Sequence, residues 1–422
     1  MRIVFVNEWL HAAGGIESYL RNVLPLFQKE GHEIRLLCEH IGDSSRTRIF
    51  QSADEHTWVV DDLKTERALA YLKSFDPHVI FVHGIENPEL ERALITAAPS
   101  VRFLHSFRGT CISSFKTRNV PVSAPCDRQF GPGCLLQYFP RRCGGIDPRT
   151  MLRLYALEKK RQHLLRQYTR VICASEYMAS ELAKHDIPAV SVGLFVRESS
   201  SPGRDRDCDR FLPQTKPDCW NLAFIGRMEH LKGCHLLIKA LPQVRCDRPI
   251  RVRFVGDGRE RCALQGLAEE QLRPRGIDFQ FTGWLNADQL ETLLPSLHLV
   301  VVPSVWPEPF GLVGLEAGLH SVPAVAFDVG GIRDWLSDGF NGFLADSHPP
   351  SSTSLASAIT KALADEDVYR RLRLSSNIVA QAFDKERHFK RLWGVLDTFA
   401  EVKTQANTAE LESQLRRNHE FA

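Results

Sequence analysis

Two glutamates, Glu308 and Glu316, stand eight positions apart in the run SVWPEPFGLVGLEAG at residues 304–318. The apolar run Leu299–Val302 leads into a loop broken by Pro307 and Pro309, and Gly311 then opens a short helical pattern that carries Glu316. The first N–H groups of a helix have no partner inside it, so a strand, a tight loop and a helix start form a ready anion site. Carboxylates beside such a site repel the anion and suit hydroxyl groups attached to it. Phosphate for the helix start and hydroxyls for the carboxylates together describe a nucleotide sugar.

Other residues fit the same chemistry. Phe224-Ile225-Gly226-Arg227 ends a strand pattern at a glycine, and Lys232-Gly233 follows. Arg227 offers a planar fork and Lys232 a point charge, a suitable pair for two phosphates, and both are expected at a cleft surface. Gly14 and Gly15 follow the first strand pattern, where a missing Cβ allows close backbone approach. Glu17 in the next helical turn complements the helix dipole. His105 follows a strand end and faces the presumed cleft, a satisfied core histidine being the plainer reading. Asp257, between two glycines, reads as a turn residue.

These residues sit on a repeated alternation of strands and helices. Strands are expected at Ile3–Val6, Ile34–Cys38, Val79–Val82, Val101–Leu104 and Val171–Ala174, with a helix from about Glu17 to Gln28. After the polar, Pro-containing stretch 197–218, read as a linker, the pattern restarts. Strands are expected at Leu222–Ile225, Val252–Val255, Asp278–Thr282, Leu299–Val302 and Ala324–Phe327, with a helix at His230–Leu241. Apolar runs alternating with helices predict doubly wound parallel sheets, and the restart predicts two such domains across a cleft. The expected division is 1–200 and 217–384, with a helix at about 385–400 packing back on the first domain and a loose polar tail from Glu401.

Composition bounds the rest. With 422 residues, 43% hydrophobic and 25% charged, the chain has room for two globular domains. No apolar run of about 18 residues predicts a membrane span. MRIVFVNEWL reads as a first buried strand rather than a signal peptide, and scattered cysteines fit reduced thiols in the cytoplasm. Charge is uneven: Arg102 to Arg170 holds 14 Lys/Arg and 3 acids, a local balance of +11. That stretch is either a solvated face or a surface for anionic lipid or a phosphate-bearing acceptor. Nucleic acid is disfavoured, because aromatic residues are not interleaved with the cations. Cys111, Cys126, Cys134 and Cys143 are separated by 14, 7 and 8 residues. They lack the close pairs usual for zinc, so free structural thiols are expected, with a structural Zn²⁺ as the alternative.

FIGRMEHLKG at 224–233, VGDG at 255–258, TGW at 282–284 and the pair Glu308 and Glu316 resemble family 4 of the retaining glycosyltransferases. So do Gly14-Gly15-Ile16-Glu17 and His105. The resemblance spans roughly residues 1–400 and is looser between 105 and 150. It implies the GT-B architecture, two Rossmann-like domains, the first for the acceptor and the second for the donor. It implies that Arg227 and Lys232 hold the donor diphosphate, that Glu316 holds the ribose hydroxyls and that Glu308 contacts the donor sugar. His105 would meet sugar or acceptor. Gly226 and the backbone of Phe310, Gly311 and Leu312 would line the donor site, with Gly14 and Gly15 near the pyrophosphate. No cofactor and no catalytic metal are implied. The expected activity is sugar transfer from a nucleoside diphosphate sugar to a glycan or lipid-linked acceptor, at the inner membrane face. Two alternatives stay open: another GT-B enzyme such as a sugar-nucleotide epimerase, and a silent sugar-nucleotide-binding subunit.

Overall fold

The computed structural model describes residues 1–11, 14–43, 48–49, 56–196 and 218–397. The expected linker falls almost wholly outside the described residues, and so does the tail from Glu401. In the first half the strands are β1 (Arg2–His11), β2 (Glu33–Gly42), β3 (Thr57–Val59), β4 (Val79–Val82) and β5 (Ser100–Leu104). They continue with β6 (Thr117–Arg118), β7 (Ala124–Pro125), β8 (Arg170–Cys173) and β9 (Ala189–Ser191). β6 and β7 form a small antiparallel pair, and the other seven make one parallel sheet in the order β3-β2-β1-β4-β5-β8-β9. The second half holds β10 (Trp220–Ile225), β11 (Ile250–Val255), β12 (Asp278–Gly283), β13 (Leu299–Val302), β14 (Ala324–Phe327) and β15 (Gly342–Ala345). These six are parallel in the order β12-β11-β10-β13-β14-β15.

The central strands form where helices cover both faces, which is why their apolar runs are unbroken. Ile3, Val4, Phe5 and Val6 of β1 have no exposed surface. The helix Gly15–Lys29 buries Tyr19, Leu20, Val23, Leu24 and Phe27 along one face; each such burial stabilises by about 1.5–3 kcal/mol. The last described helix, Lys385–Leu396, lies against that helix. Phe389 meets Phe27 edge-on at 4.9 Å, and the Tyr19 hydroxyl bonds His388 Nε2 at 2.8 Å. Strands β3, β9 and β15 are absent from the sequence reading. All three are edge strands of three or four residues, paired on one side only, so they carry no long apolar run.

In each sheet the order reverses beside the first strand, between β1 and β4 and between β10 and β13. Ligands of such sheets bind outside the carboxyl ends at that reversal. One expectation needs correction there. His230–Leu241 is not a single helix. A 3₁₀ turn, His230–Lys232, ends at Gly233 with φ +67°, and a separate helix runs over Cys234–Ala240. A Cβ at 233 would overlap the carbonyl oxygen of Pro303. The glycine therefore lets the loop after β10 press on the loop after β13. Gly233→Ala is expected to cost at least about 2 kcal/mol, from the left-handed backbone and the overlap together. A drop of several degrees in thermal unfolding checks this; an unchanged transition would show that the contact has no structural weight.

Candidate active site

A cavity of about 470 Å³ lies where the two sheets' carboxyl ends face each other. From the first half it takes Gly15, Tyr19 and His105; from the second, Ile225, Lys232, Glu308, Phe310, Gly311, Leu312 and Glu316. Most of the residues singled out in the sequence therefore converge on one space. Gly14, Gly226 and Arg227 do not line it.

The centre of the second wall is an ion pair. Lys232 Nζ donates to Glu308 Oε1 at 2.7 Å, and Ser304 Oγ donates to the same oxygen. Glu308 is 5% exposed. Burial pushes its carboxyl up, but the Lys232 charge and the hydrogen bonds from Lys232 and Ser304 outweigh this and hold it below the usual range. Lys232 also stands 5.3 Å over the Trp306 ring, and Trp306 meets Phe115 of the first half at 6.1 Å. Lys232 thus lies at the cleft surface as expected, but it is not a free cation there. Its side chain is 23% exposed and tied to a buried carboxylate. Arg227 is the open one, 62% exposed and 3.2 Å from Glu229.

After Glu308 the chain turns through Gly311, at φ +85°, into the helix Leu312–Leu319. The Phe310 carbonyl accepts from Trp335 Nε1 at 2.7 Å, which fixes the turn from behind. The helix start opens on the cavity at Gly311 and Leu312. One turn on, Glu316 stands between this cavity and an adjoining one of about 350 Å³, which shares Ile225 and Val313.

The opposite wall is uncharged. His105 Nε2 lies 3.1 Å from His83 Nδ1, and its ring stacks on Phe103 at 4.3 Å. Burial, then the Arg102 charge, bring its pKa down to about 3, so it is neutral at physiological pH. Glu17 is buried, accepts from Asn7 Nδ2 at 3.3 Å and lies where a Cβ on Gly14 would fall. Its carboxylate therefore does more than face a helix dipole. At Gly15 a Cβ would meet open space. Asp257 bonds the Gly258 N–H and Arg261, as a turn residue should.

Sequence reading passes over Ser304, Trp306 and Tyr19. The first two belong to the same run as Glu308, and only the fold shows that they face Lys232 and Glu308. The basic stretch also changes. Arg102, Lys116 and Arg161 are buried. Arg108, Lys116 and Lys160 pair with Glu8, Glu181 and Glu89, all outside the counted window. A balance of +11 is therefore not a surface charge. Cys111, Cys126, Cys134 and Cys143 are free thiols and line a separate cavity of about 260 Å³.

Comparison with known proteins accounts for both halves. Residues 13–192 match the model of Glycosyltransferase Family 4, and residues 205–378 match that of glycosyl transferases group 1. An uncharacterized glycosyltransferase of Methanocaldococcus jannaschii is 32% identical over 145 residues, 34% of this chain and 36% of that protein. A D-inositol 3-phosphate glycosyltransferase of Paenarthrobacter aurescens is 30% identical over 217 residues, 46% of this chain and 49% of that protein. The chain thus spans about half or less of the length of these curated relatives. Among solved structures, Anabaena HepE in complex with UDP superposes with a TM-score of 0.64 at 19% identity, over 94% of this chain and all of that one. With a family 4 domain followed by a group 1 domain on two facing parallel sheets, the chain belongs to the GT-B glycosyltransferases.

Proposed function

We propose that the protein is a retaining glycosyltransferase that moves a sugar from a nucleoside diphosphate sugar to a glycan or lipid-linked acceptor, in cell-surface polysaccharide or glycolipid synthesis. One observation carries this reading: Lys232, the helix start at Gly311 and the carboxylates Glu308 and Glu316 meet in one cavity at the facing sheet reversals. The diphosphate lies against Lys232 and the helix start. Glu316, between two cavities, takes the ribose hydroxyls, with the base in the smaller space. Glu308 faces the donor sugar. As the bond from C1 to the diphosphate oxygen breaks, negative charge grows on the leaving group, where Lys232 and the helix N–H groups receive it. The acceptor oxygen bonds C1 on the same face, and its proton passes to the leaving phosphate. Neutral His105 offers a hydrogen bond to a sugar or acceptor hydroxyl without adding charge. Arg227, open at the rim, reaches the outer phosphate. Fixed cationic charge thus does what a catalytic metal would do elsewhere, and added Mg²⁺ or Mn²⁺ is expected to leave turnover unchanged. The reduced thiols fit work in the cytoplasm. Incubation with UDP-, GDP- and ADP-sugars, with the product anomer read by NMR, tests the assignment. Failure to bind any nucleotide sugar, or an inverted product, would end it.

Lys232→Met is expected to lower turnover by about 10²–10³ through loss of a transition-state contact. It also strands a buried carboxylate, at a cost of about 3–5 kcal/mol. Adding Glu308→Gln should restore thermal stability but not turnover. The sign with pH follows from the lowered Glu308 pKa. In the native chain its stabilisation is present above the unfolded carboxyl value and is lost as pH falls through the lower folded one. In Lys232→Met the stranded carboxyl is raised instead, so the stability gap to wild type should narrow as pH falls. A gap independent of pH would show that the pair has no electrostatic weight.

Glu316→Gln should weaken nucleoside diphosphate binding by about 10- to 100-fold, the value of a charge-assisted bond to ribose. Glu308→Gln should lower kcat while diphosphate still binds. Calorimetric titration of both variants decides, and the reverse pattern would exchange the two roles.

The acceptor side has its own surface. Leu136, Ile146 and Leu152 are 78%, 89% and 55% exposed, in the same segment as the exposed Arg142, Arg149 and Arg153. Apolar tips among arginines suit the boundary of an anionic bilayer, where each cation contributes about 1 kcal/mol. No helix among the described residues is long and apolar enough to cross a membrane. Flotation with anionic vesicles should show salt-sensitive binding, reduced about 100-fold when the three arginines become Gln. Donor hydrolysis should be unchanged in that variant. Absence of binding at low salt would point to a soluble acceptor.

A further inference from the structure

Residues 105–147, between β5 and the helix Pro148–Leu165, hold little regular structure and are anchored to the first half by Phe107 in its core, by the buried Lys116–Glu181 pair and by the Gly109 and Phe130 N–H groups, which donate to Glu158 and His185. Their regular structure is the two-residue strands β6 and β7 and the five-residue helix Gly133–Gln137. Their own core is a separate cluster of three buried side chains, Ile112, Phe130 and Tyr138. So small a core leaves room for a further cross-link between these anchors, of the kind disulfides or a metal give small units. The segment nevertheless has a defined place, since Phe115 reaches Trp306 and Ser123 Oγ lies 2.8 Å from His230 Nε2 across the cleft.

Cys111, Cys126, Cys134 and Cys143 are gathered within the segment. They come from four points along the segment, they are free, and all four line the same cavity of about 260 Å³. Its wall also carries Arg118, Arg128 and Arg141, against one acid, Asp127. Lys116 is there too, already paired with Glu181 at 2.8 Å. Four thiolates around a divalent ion, or around an iron–sulfur cluster, leave a doubly negative centre, which such a cationic wall offsets. The sulfurs surround the space without yet closing on it. Among the described residues the trio whose ligand atoms lie within 4.8 Å of one another is His230, His235 and Glu260. Closure on a metal therefore requires rotamer changes of the cysteines.

We propose that Cys111, Cys126, Cys134 and Cys143 form a thiolate-ligated metal centre, taking Zn²⁺ or an iron–sulfur cluster, that holds the 105–147 segment in its fold over the cleft. On binding, the four thiols lose their protons to solvent and the sulfurs become the ligands. The site stands apart from the proposed sugar transfer and is structural.

The test uses the full chain, purified without oxygen or chelator from cells supplied with zinc and iron. Elemental analysis should find about one zinc per chain, or about four irons with matching labile sulfide. The two arms separate the two metals. Zinc-loaded protein exchanged with Co²⁺ should show a thiolate charge-transfer band, and titration with a mercurial should release metal in step with four thiols. Cys126→Ser and Cys143→Ser should lose the metal, while Cys262→Ser, at an exposed thiol of the second half, should keep it. Because the serine variants can misfold, the mercurial titration of the unaltered chain stands as an independent readout. Metal below about a tenth of an equivalent, with the four thiols freely reactive or joined as disulfides, would overturn the proposal.

Discussion

The bond between Lys232 and Glu308 joins the loop after β10 to the loop after β13, and most of the site's geometry depends on it. These two loops flank the reversal of the second sheet, beyond the pairing of β10 with β13 at Leu222–Leu299 and Ala223–Val300. Taking both charges out of water costs several kcal/mol per ion, and only close pairing with further hydrogen bonds offsets it. Here Ser304 and the Trp306 face supply the extra partners. Gly233 lets the two backbones approach, and Trp335 fixes the Phe310 carbonyl behind the turn. The same pair leaves the ammonium at the edge of the cavity, partly exposed. On the proposed reading, an arriving diphosphate would meet a cation already oriented by protein rather than by water, and little reorganisation would be needed as charge develops.

The two walls divide the electrostatic work. Cationic charge and the helix start come from the second half. The first half contributes His105, held neutral by burial and by the Arg102 charge. A protonated imidazole there would compete for the leaving group from the wrong side of the sugar. The histidine cluster extends through Tyr19 to His388 on the last described helix. That helix follows the second sheet in sequence and lies on the first. The chain therefore crosses between the halves twice, and the position of His105 is coupled to both crossings.

What was legible in the sequence follows from range. Buried central strands announce themselves because a strand covered on both faces must be apolar throughout, as at Val79–Val82 and Leu299–Val302. The edge strands β3, β9 and β15 escape that rule. Lys232 and Glu308 are individually recognisable, but their bond spans 76 positions and no local spacing reveals it. The break at Gly233 depends on a carbonyl from residue 303, which helical periodicity cannot show. Counting charge over Arg102–Arg170 overlooks Glu8, Glu89 and Glu181, which lie outside the window and neutralise part of it. The four cysteines fail the usual spacing rule because that rule describes two local loops. Here a strand pair, a short helix and the turns between them do the gathering.

The 105–147 segment ties these observations together. Its Phe115 and Ser123 meet Trp306 and His230 of the second half, its four thiols line one cavity, and Leu136, Arg142 and Ile146 are exposed on it. Its own core is three residues and its anchors to the first half lie at Phe107, Lys116 and Phe130, so a metal at the cysteines would add a cross-link between those anchors and the exposed end. If a metal fixes it, the outer surface and the cleft become parts of one rigid piece. An acceptor held at a bilayer would then be presented to the sugar at a defined distance, and the height of the cleft above the membrane would be set by the cysteine cavity.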